Sequence, residues 1–184
     1  MLQLSPYPAR IRSTGFTLME LLATVAIVAI GVALALPWLR ESLTSGNIKN
    51  LSNDLVVALN QARSEAVKRG TRVAVFSLSG SDSWNSGWQI RADAARDATF
   101  STVIQTRSSL PQDVGIRNST LDQRPERIVF SVDGGLFSAN PDLVNAVELS
   151  VCRPDADAAK ERRVIVRGSG EVSMRRNSTN ESGC

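Results

Sequence analysis

One carboxylate in this sequence lies where a charge is costly. Glu20 is the only charged residue in the 21 residues from Phe16 to Leu36, FTLMELLATVAIVAIGVALAL. A carboxylate at the centre of a membrane helix costs on the order of 2.5–3.5 kcal/mol, and less where it reaches the lipid headgroups. Glu20 therefore either reaches the headgroup region as a peripheral residue or pairs with a cation that another subunit brings.

The sequence itself offers a cation for Glu20 if the chain is cut after Gly15. Cleavage there would give Phe16 a free α-amino group, which a neighbouring subunit could bring to Glu20 inside an apolar bundle. Such a pair sets the register between subunits, since a misaligned subunit would leave both charges buried and alone. This hypothesis makes Glu20 an assembly residue.

The composition argues against catalysis. The 184 residues include 21 Lys plus Arg, 18 Asp plus Glu, two Cys and no His. The lack of His removes the usual general base, the His-containing nucleophile triads and most zinc sites. The two Cys identify no metal site and do not form the C-x-x-C pair of a redox centre. We predict no enzymatic activity, no cofactor and no metal, and an enzyme anchored by one helix is the least supported class.

Residues 16–39 predict a membrane-spanning helix, because 19 of these 24 residues are apolar. At ~1.5 Å per residue, the 21-residue run spans about 31 Å, which matches a hydrocarbon core about 30 Å thick. A secretory signal peptide would carry its small-residue cleavage site after the apolar core, whereas Gly15 precedes it. The upstream charges Arg10 and Arg12 predict that residues 1–15 stay in the cytoplasm and the rest is translocated.

A second helical pattern continues the span over residues 40–70. Apolar residues recur at helical spacing, and one stripe of this amphipathic helix is expected to pack into the C-terminal domain. The stripe consists of Leu39, Leu43, Ile48, Leu51, Leu55, Leu59, Ala62 and Ala66. Pro37 predicts a kink, since proline removes an intrahelical hydrogen bond, and Gly46-Asn47 predicts bending or local melting. Gly70 closes the helix.

Residues 71–184 switch to a period of two with β-branched residues and predict a β-rich domain. The expected strands are Arg72–Leu78, Trp88–Arg91, Thr102–Arg107, Val114–Arg117, Arg127–Val132, Val147–Arg153, Arg162–Arg167 and Val172–Arg176. The last two form a C-terminal hairpin. The predicted fold is α+β, with a long N-terminal helix packed on a mostly antiparallel β-sheet head.

Two features of the head suggest contacts or cross-links. Five arginines lie in the last hairpin: Arg162, Arg163, Arg167, Arg175 and Arg176. They either contact phosphates non-specifically or protect the sheet edge from pairing with other sheets, and the second interpretation is favoured. Cys152 and Cys184, in a domain outside the cytoplasm, favour a disulfide that would stabilise the fold by roughly 3–4 kcal/mol.

The N-terminal residues carry a family resemblance. Gly15-Phe16-Thr17-Leu18-Met19-Glu20-Leu21-Leu22 resembles the prepilin cleavage and methylation motif of type IV pilins and of the pseudopilins of type II secretion. The resemblance implies cleavage between Gly15 and Phe16 by prepilin peptidase, N-methylation of Phe16 and polymerisation through Glu20. Pro37 stands where such proteins commonly carry a helix-kinking proline. The implied location is the bacterial inner membrane, crossed once, with the head in the periplasm and later in a filament.

Within the head, Trp84-Asn85-Ser86-Gly87-Trp88 resembles the W-x-x-G-W element of the GspH/FimT family of minor pilins and pseudopilins. This resemblance implies a pilin-like fold, partnership with other pilins or pseudopilins, and a structural role near the filament tip or initiation complex. We expect Trp84 and Trp88 to be core aromatics that bind no ligand and that cover the exposed edge of the core, with Gly87 allowing a tight turn between them. A type IV pilus and a type II secretion pseudopilus remain equally compatible with these residues.

The alternative function is DNA binding during natural transformation. DNA-binding FimT-like pilins carry a G-R-x-R element near the C-terminus, whereas this chain has Gly170-Glu171-Val172-Ser173 at the matching place. A Glu where a phosphate-binding Arg is expected repels DNA. DNA binding is therefore possible but not favoured.

Overall fold

The computed structural model describes residues 15–81, 83–111, 113–118, 126–137, 146–153 and 161–177. The chain forms two compact units, residues 1–41 and 42–184. The helix α1 (Leu18–Arg69) belongs to both units and precedes all the strands. The strands of the described segments are β1 (Val73–Ser77), β2 (Gly87–Ala92), β3 (Thr102–Ser108), β4 (Gly115–Asn118), β5 (Arg127–Phe130), β6 (Ala146–Cys152), β7 (Arg162–Arg167) and β8 (Val172–Arg176).

The strands form two four-stranded antiparallel sheets in the second unit. Sheet A has the order β3-β2-β1-β5, and sheet B has the order β4-β6-β7-β8. Each predicted strand is present, with ends that differ from the prediction by no more than two residues. The predicted α+β class and the C-terminal hairpin are confirmed, since β7 pairs antiparallel with β8.

The helix α1 continues through both positions where its sequence suggested weakness. Pro37 and Gly46-Asn47 lie inside Leu18–Arg69, so the local melting predicted at Gly46-Asn47 is not observed. The kink at Pro37 stays a prediction. The helix ends at Gly70, whose φ of +60° no longer continues a right-handed helix, and Lys68 and Arg69 complement the negative helix end.

The apolar stripe of α1 is buried over most of its predicted length. Its buried members are no more than 2% exposed: Ile48, Leu51, Leu55, Leu59, Ala62 and Ala66. Leu39 and Leu43 are 48% and 61% exposed. The prediction was wrong for these two residues, because the first buried residue among the described side chains of α1 is Thr44.

Both sheets share one core with this stripe. Each sheet presents an apolar inner face to this core, as the period of two in its strands allows. The buried residues of sheet A include Val73, Val75, Ile90, Ile128 and Phe130, and those of sheet B include Ile116, Val147, Leu149, Val164 and Val166. All of them belong to a single apolar cluster with the buried residues of α1.

The Trp84–Trp88 segment joins the two sheets. The Trp84 amide donates a hydrogen bond to the Ile116 carbonyl in sheet B at 2.8 Å, and Trp88 lies in β2 of sheet A. Trp84 is 0% exposed and Trp88 is 2% exposed. The expectation that they are core aromatics is confirmed, because both residues belong to the buried cluster that the two sheets share.

Gly87 makes this connection possible. Its φ is +100°, a conformation that residues with a side chain rarely adopt, and a Cβ here would collide with the Arg107 carbonyl of β3.

Gly87→Ala should lower the free energy of unfolding by about 2–4 kcal/mol, because it combines backbone strain with this collision. Gly46→Ala is the matched control, since a Cβ at Gly46 in α1 meets nothing within 4 Å. There alanine should stabilise by about 0.5–1 kcal/mol. Urea unfolding of both full-length variants measures the difference, and equal effects would contradict the assigned role of Gly87.

A hydrogen-bonded carboxylate connects α1 to the segment between β3 and β4. The Thr44 hydroxyl donates to Asp113 Oδ2 at 2.8 Å, and Asn47 Nδ2 lies 3.4 Å from both Asp113 oxygens. The Thr44 hydrogen bond is the main cause that holds the pKa of Asp113 below its ordinary value, although burial acts in the opposite direction. This contact therefore stabilises the fold when Asp113 is ionised.

Thr44→Val should raise the pKa of Asp113 and destabilise the protein by about 1 kcal/mol at neutral pH. Because folding lowers the pKa of Asp113, its ionisation stabilises the folded state at pH values above the ordinary pKa of 3.8. This stabilisation is lost as the pH falls through the lowered pKa. The difference in the free energy of unfolding between wild type and Thr44→Val should therefore become smaller at acidic pH. An NMR titration of the Asp113 carboxyl carbon gives the pKa, and Thr44→Ser, which keeps the hydroxyl, should behave like wild type.

Candidate functional site

The first turn of α1 is built by the residues of the predicted processing motif. Gly15, Phe16 and Thr17 precede the helix, which begins at Leu18. The Thr17 hydroxyl accepts a hydrogen bond from the Glu20 amide at 3.2 Å, and the Thr17 carbonyl accepts one from the Leu21 amide at 3.1 Å. Thr17 is therefore the N-cap, and Thr17-x-x-Glu20 has the spacing of a capping box.

This arrangement places Glu20 one turn from the predicted new N-terminus. Its position in the first turn favours a negative charge, because the helix dipole is positive at this end. Glu20 is exposed and forms no ion pair with another residue in the described part of the chain. Phe16 is 74% exposed in non-helical backbone, so the Gly15–Phe16 bond is accessible. Residues 1–14, including Arg10 and Arg12, lie outside the described residues.

The surface of α1 from Leu18 to Leu39 is apolar and exposed, apart from a few polar positions such as Glu20. Ile27 and Leu34, for example, are 70% and 76% exposed. The helix contains an 18-residue window with a mean hydropathy of 2.4, none of which is buried within the structure. Among the described residues, α1 is the one helix long and apolar enough to cross a membrane by these measures.

Two of the five hairpin arginines share a glutamate on one face of sheet B. Arg163 Nη1 lies 3.4 Å from Glu148 Oε2, and Arg175 Nη2 lies 3.3 Å from Glu148 Oε1. Arg163 Nε also lies 3.2 Å from Glu161 Oε1. Glu161 is only 2% exposed. These carboxylates neutralise guanidinium groups that a phosphate would otherwise have to contact.

The other three hairpin arginines are arranged differently. Arg167 Nη1 forms an ion pair with Glu171 Oε1 at 2.9 Å. Glu171 is the residue that stands where DNA-binding FimT-like pilins carry an arginine, and here it neutralises Arg167. Arg162 and Arg176 face each other across β7 and β8. Alternation along β7 puts Arg162 on the face opposite to Arg163 and Arg167. The five arginines are therefore divided between two faces.

Cys152 lies at the end of β6 opposite Gly115 and is 5% exposed. Cys184 lies outside the described residues. The Cys152–Cys184 disulfide stays a prediction.

The structure assembles a second arginine cluster that the sequence did not reveal. On the face of sheet A that points away from the shared core, arginines alternate with phenylalanine rings. We call this the Arg–Phe face and define it by Arg72, Phe76, Arg91, Phe100, Arg127 and Phe137.

The contacts of the Arg–Phe face are cation–π and edge-to-face contacts. The guanidinium carbons of Arg91 and Arg127 lie 5.0 Å and 5.7 Å from the centre of the Phe76 ring. The Phe76 and Phe100 rings meet edge to face, with centres 5.5 Å apart. Alternation along β1 predicts that Phe76 points away from Val75. Only the pairing of β1 with β5 brings Arg127 beside it.

The comparisons with known proteins agree with this architecture. Residues 51–170 match the family profile described as type II transport protein GspH, and residues 10–36 match the prokaryotic N-terminal methylation motif. No curated protein sequence matches the chain.

Solved structures with a similar fold are minor pilins and pseudopilins. The type IV minor pilin FimU of Pseudomonas aeruginosa is 13% identical with a TM-score of 0.57, and the match covers 73% of this chain and 92% of FimU. A second crystal form of FimU gives a TM-score of 0.54 at 14% identity, covering 71% and 94%. The minor pseudopilin EpsH from the type 2 secretion system of Vibrio cholerae is 9% identical with a TM-score of 0.51, covering 72% and 98%.

At these identities the structural matches establish the fold, while the family profile spans more than half of the sequence. The methylation-motif match covers the start of the long N-terminal helix, and the GspH profile covers the rest of that helix and most of the two antiparallel sheets. This chain is a member of the GspH family of minor pilins and pseudopilins.

Proposed function

We propose that this protein is a structural, non-enzymatic subunit of a bacterial filament. It is made as a prepilin that crosses the inner membrane once, with its head in the periplasm. The proposed organisation is a leader over residues 1–15, an assembly helix over 16–39, an amphipathic continuation over 40–70 and a β-rich head over 71–184. The observation that carries the proposal is an exposed apolar helix, charged only at Glu20 between Phe16 and Leu36, ahead of a GspH-family head.

The exposed apolar residues of α1 are expected to be buried against a partner, because a surface of this kind marks contact with a membrane or another protein. The lipid bilayer covers it before assembly, and the helices of neighbouring pilins or pseudopilins cover it in the filament. Prepilin peptidase cuts the accessible Gly15–Phe16 bond, and Phe16 is then N-methylated. The new amine of one subunit pairs with Glu20 of another and sets their register.

Within the filament we assign this subunit to initiation or to the tip. FimU is described as a minor pilin of type IV pili and EpsH as a minor pseudopilin of type 2 secretion, and both share the fold. A subunit that joins at initiation needs the same helix as the major subunit but a head with its own contacts. The proposal covers both a type IV pilus and a type II secretion pseudopilus.

DNA uptake is the weaker candidate function. In the C-terminal hairpin, Arg163, Arg167 and Arg175 each bond to a carboxylate. Phosphates would have to compete with these glutamates for the same guanidinium groups.

The mature protein should begin at N-methylated Phe16 in mass spectra of the membrane fraction. Gly15→Val should leave the leader attached, because a branched side chain next to the scissile bond obstructs the peptidase. Gly31→Val is the matched control, since a Cβ meets nothing within 4 Å at either glycine. Any other N-terminus in the wild-type protein, or normal cleavage of Gly15→Val, would count against the processing step.

Glu20→Gln should leave leader cleavage intact and sharply reduce incorporation into filaments, because the amide keeps the shape of the side chain but removes the charge that pairs with the N-terminus. Glu20→Asp, which keeps the charge on a shorter side chain, should retain part of the incorporation. Immunoblots of sheared filaments and membranes measure both steps. Wild-type incorporation of Glu20→Gln would overturn the register role.

A further inference from the structure

The ion-paired arginines of the C-terminal hairpin differ from Arg91 of the Arg–Phe face in what neutralises them. Those of the C-terminal hairpin that form ion pairs lie against the carboxylates of Glu148, Glu161 and Glu171. On the Arg–Phe face, Arg91 donates to the neutral Gln89 side chain at 2.6 Å and has no carboxylate partner in the described segments. The Arg–Phe face of sheet A therefore carries a cation that no carboxylate of the described segments neutralises.

Arg127 is almost as poorly neutralised as Arg91. Its Nε lies 3.9 Å from the nearest carboxylate, Glu126, and this buried atom has no hydrogen-bond acceptor within the described residues. Arg72, by contrast, donates from Nε and Nη2 to Asp93 Oδ2 at 3.1 Å and 2.7 Å. Neither Arg91 nor Arg127 therefore donates a hydrogen bond to a carboxylate in the described residues, so an incoming carboxylate would not have to displace one.

The phenylalanine rings hold these two guanidinium groups in place. Arg91 and Arg127 both stack on Phe76, and Arg127 also lies 5.8 Å from the centre of the Phe100 ring. Phe100 is 3% exposed and anchors the cluster. An arginine stacked on a ring has already lost rotamer freedom but keeps its planar set of donors. It therefore loses less side-chain conformational entropy when a carboxylate binds.

Exposed apolar side chains flank the two cations. Val103 lies opposite Arg91 in the β2–β3 pairing and is 52% exposed. Phe137 is 42% exposed, and the guanidinium of Arg72 lies 5.2 Å from its ring centre. Arginine and aromatic residues together are typical of protein–protein interfaces. A nucleic acid would need a longer row of cations to neutralise its phosphates.

We infer that the Arg–Phe face is a docking surface for an acidic segment of another protein. Carboxylates of that segment accept hydrogen bonds from Arg91 and Arg127, and its apolar side chains pack on Phe137 and Val103. The inference concerns binding by sheet A and does not depend on cleavage, methylation or the pairing of Glu20.

Three synthetic ligands test this inference on the full-length protein in non-ionic detergent. The first is an eight-residue peptide of alternating Glu and Val, the second has Gln in place of every Glu, and the third is a short oligothymidine. Fluorescence anisotropy of the labelled ligands gives the affinities. We expect the Glu peptide to bind at least about fivefold more tightly than the Gln peptide, with an affinity that falls as salt rises.

The binding surface is located by paired variants of equal charge. Arg91→Gln with Arg127→Gln should weaken binding of the Glu peptide by about fivefold to tenfold. The double variant Arg167→Gln with Arg175→Gln removes the same charge from sheet B. It should change the affinity for the Glu peptide less than twofold. If the first double variant fails to fold by circular dichroism, Arg91→Gln alone is compared with Arg167→Gln.

Three outcomes would overturn the inference. Equal affinity for the Glu and Gln peptides would show that carboxylates are not recognised. An equal loss in the sheet B control would show only general charge attraction. Tighter binding of oligothymidine that depends on Arg91 and Arg127 would assign the face to nucleic acid instead.

Discussion

The buried stripe of α1 is the constraint on which the head depends. Each sheet has one apolar face, and neither face is covered by its own strands. The helix residues from Ile48 to Ala66 belong to the same cluster as both inner faces, so one helix surface completes two sheets. The Trp84–Trp88 segment adds a covalent and hydrogen-bonded link between these sheets, and the left-handed backbone at Gly87 permits it.

The two parts of α1 use apolar residues for different purposes. Between Ile48 and Ala66 apolar residues recur on one face, because only that face meets the sheets. From Leu18 to Leu39 they occur all around the helix and remain exposed, as a membrane or a bundle of neighbouring helices requires. Leu39 and Leu43 fit the spacing of the buried stripe but lie before the point where burial begins. Packing against the head therefore determines which side of α1 is apolar only from Thr44 and Ile48 onward.

The arginines show how tertiary structure changes the meaning of a charge. Five of them in one hairpin suggested a cationic surface, yet three are held by Glu148, Glu161 and Glu171. Arg91 and Arg127 are 36 positions apart in the sequence, and strand pairing brings them to either side of Phe76. Counting arginines along the sequence therefore overestimated the free positive charge of the C-terminal hairpin and did not reveal the Arg–Phe face.

The sequence by itself determined the features that depend on neighbouring residues. The apolar run and its flanks, the motif from Gly15 to Leu22 and the periods of the helix and strands are local patterns, and these predicted the helix, the eight strands of the described segments and the family. Tertiary structure decided what depends on distant residues: the hydrogen bond by which Trp84 joins the two sheets, the loss of Leu39 and Leu43 from the core, and the Arg–Phe face. These features were beyond the sequence because local periodicity fixes which side of an element is apolar, whereas strand order and packing determine what that side contacts.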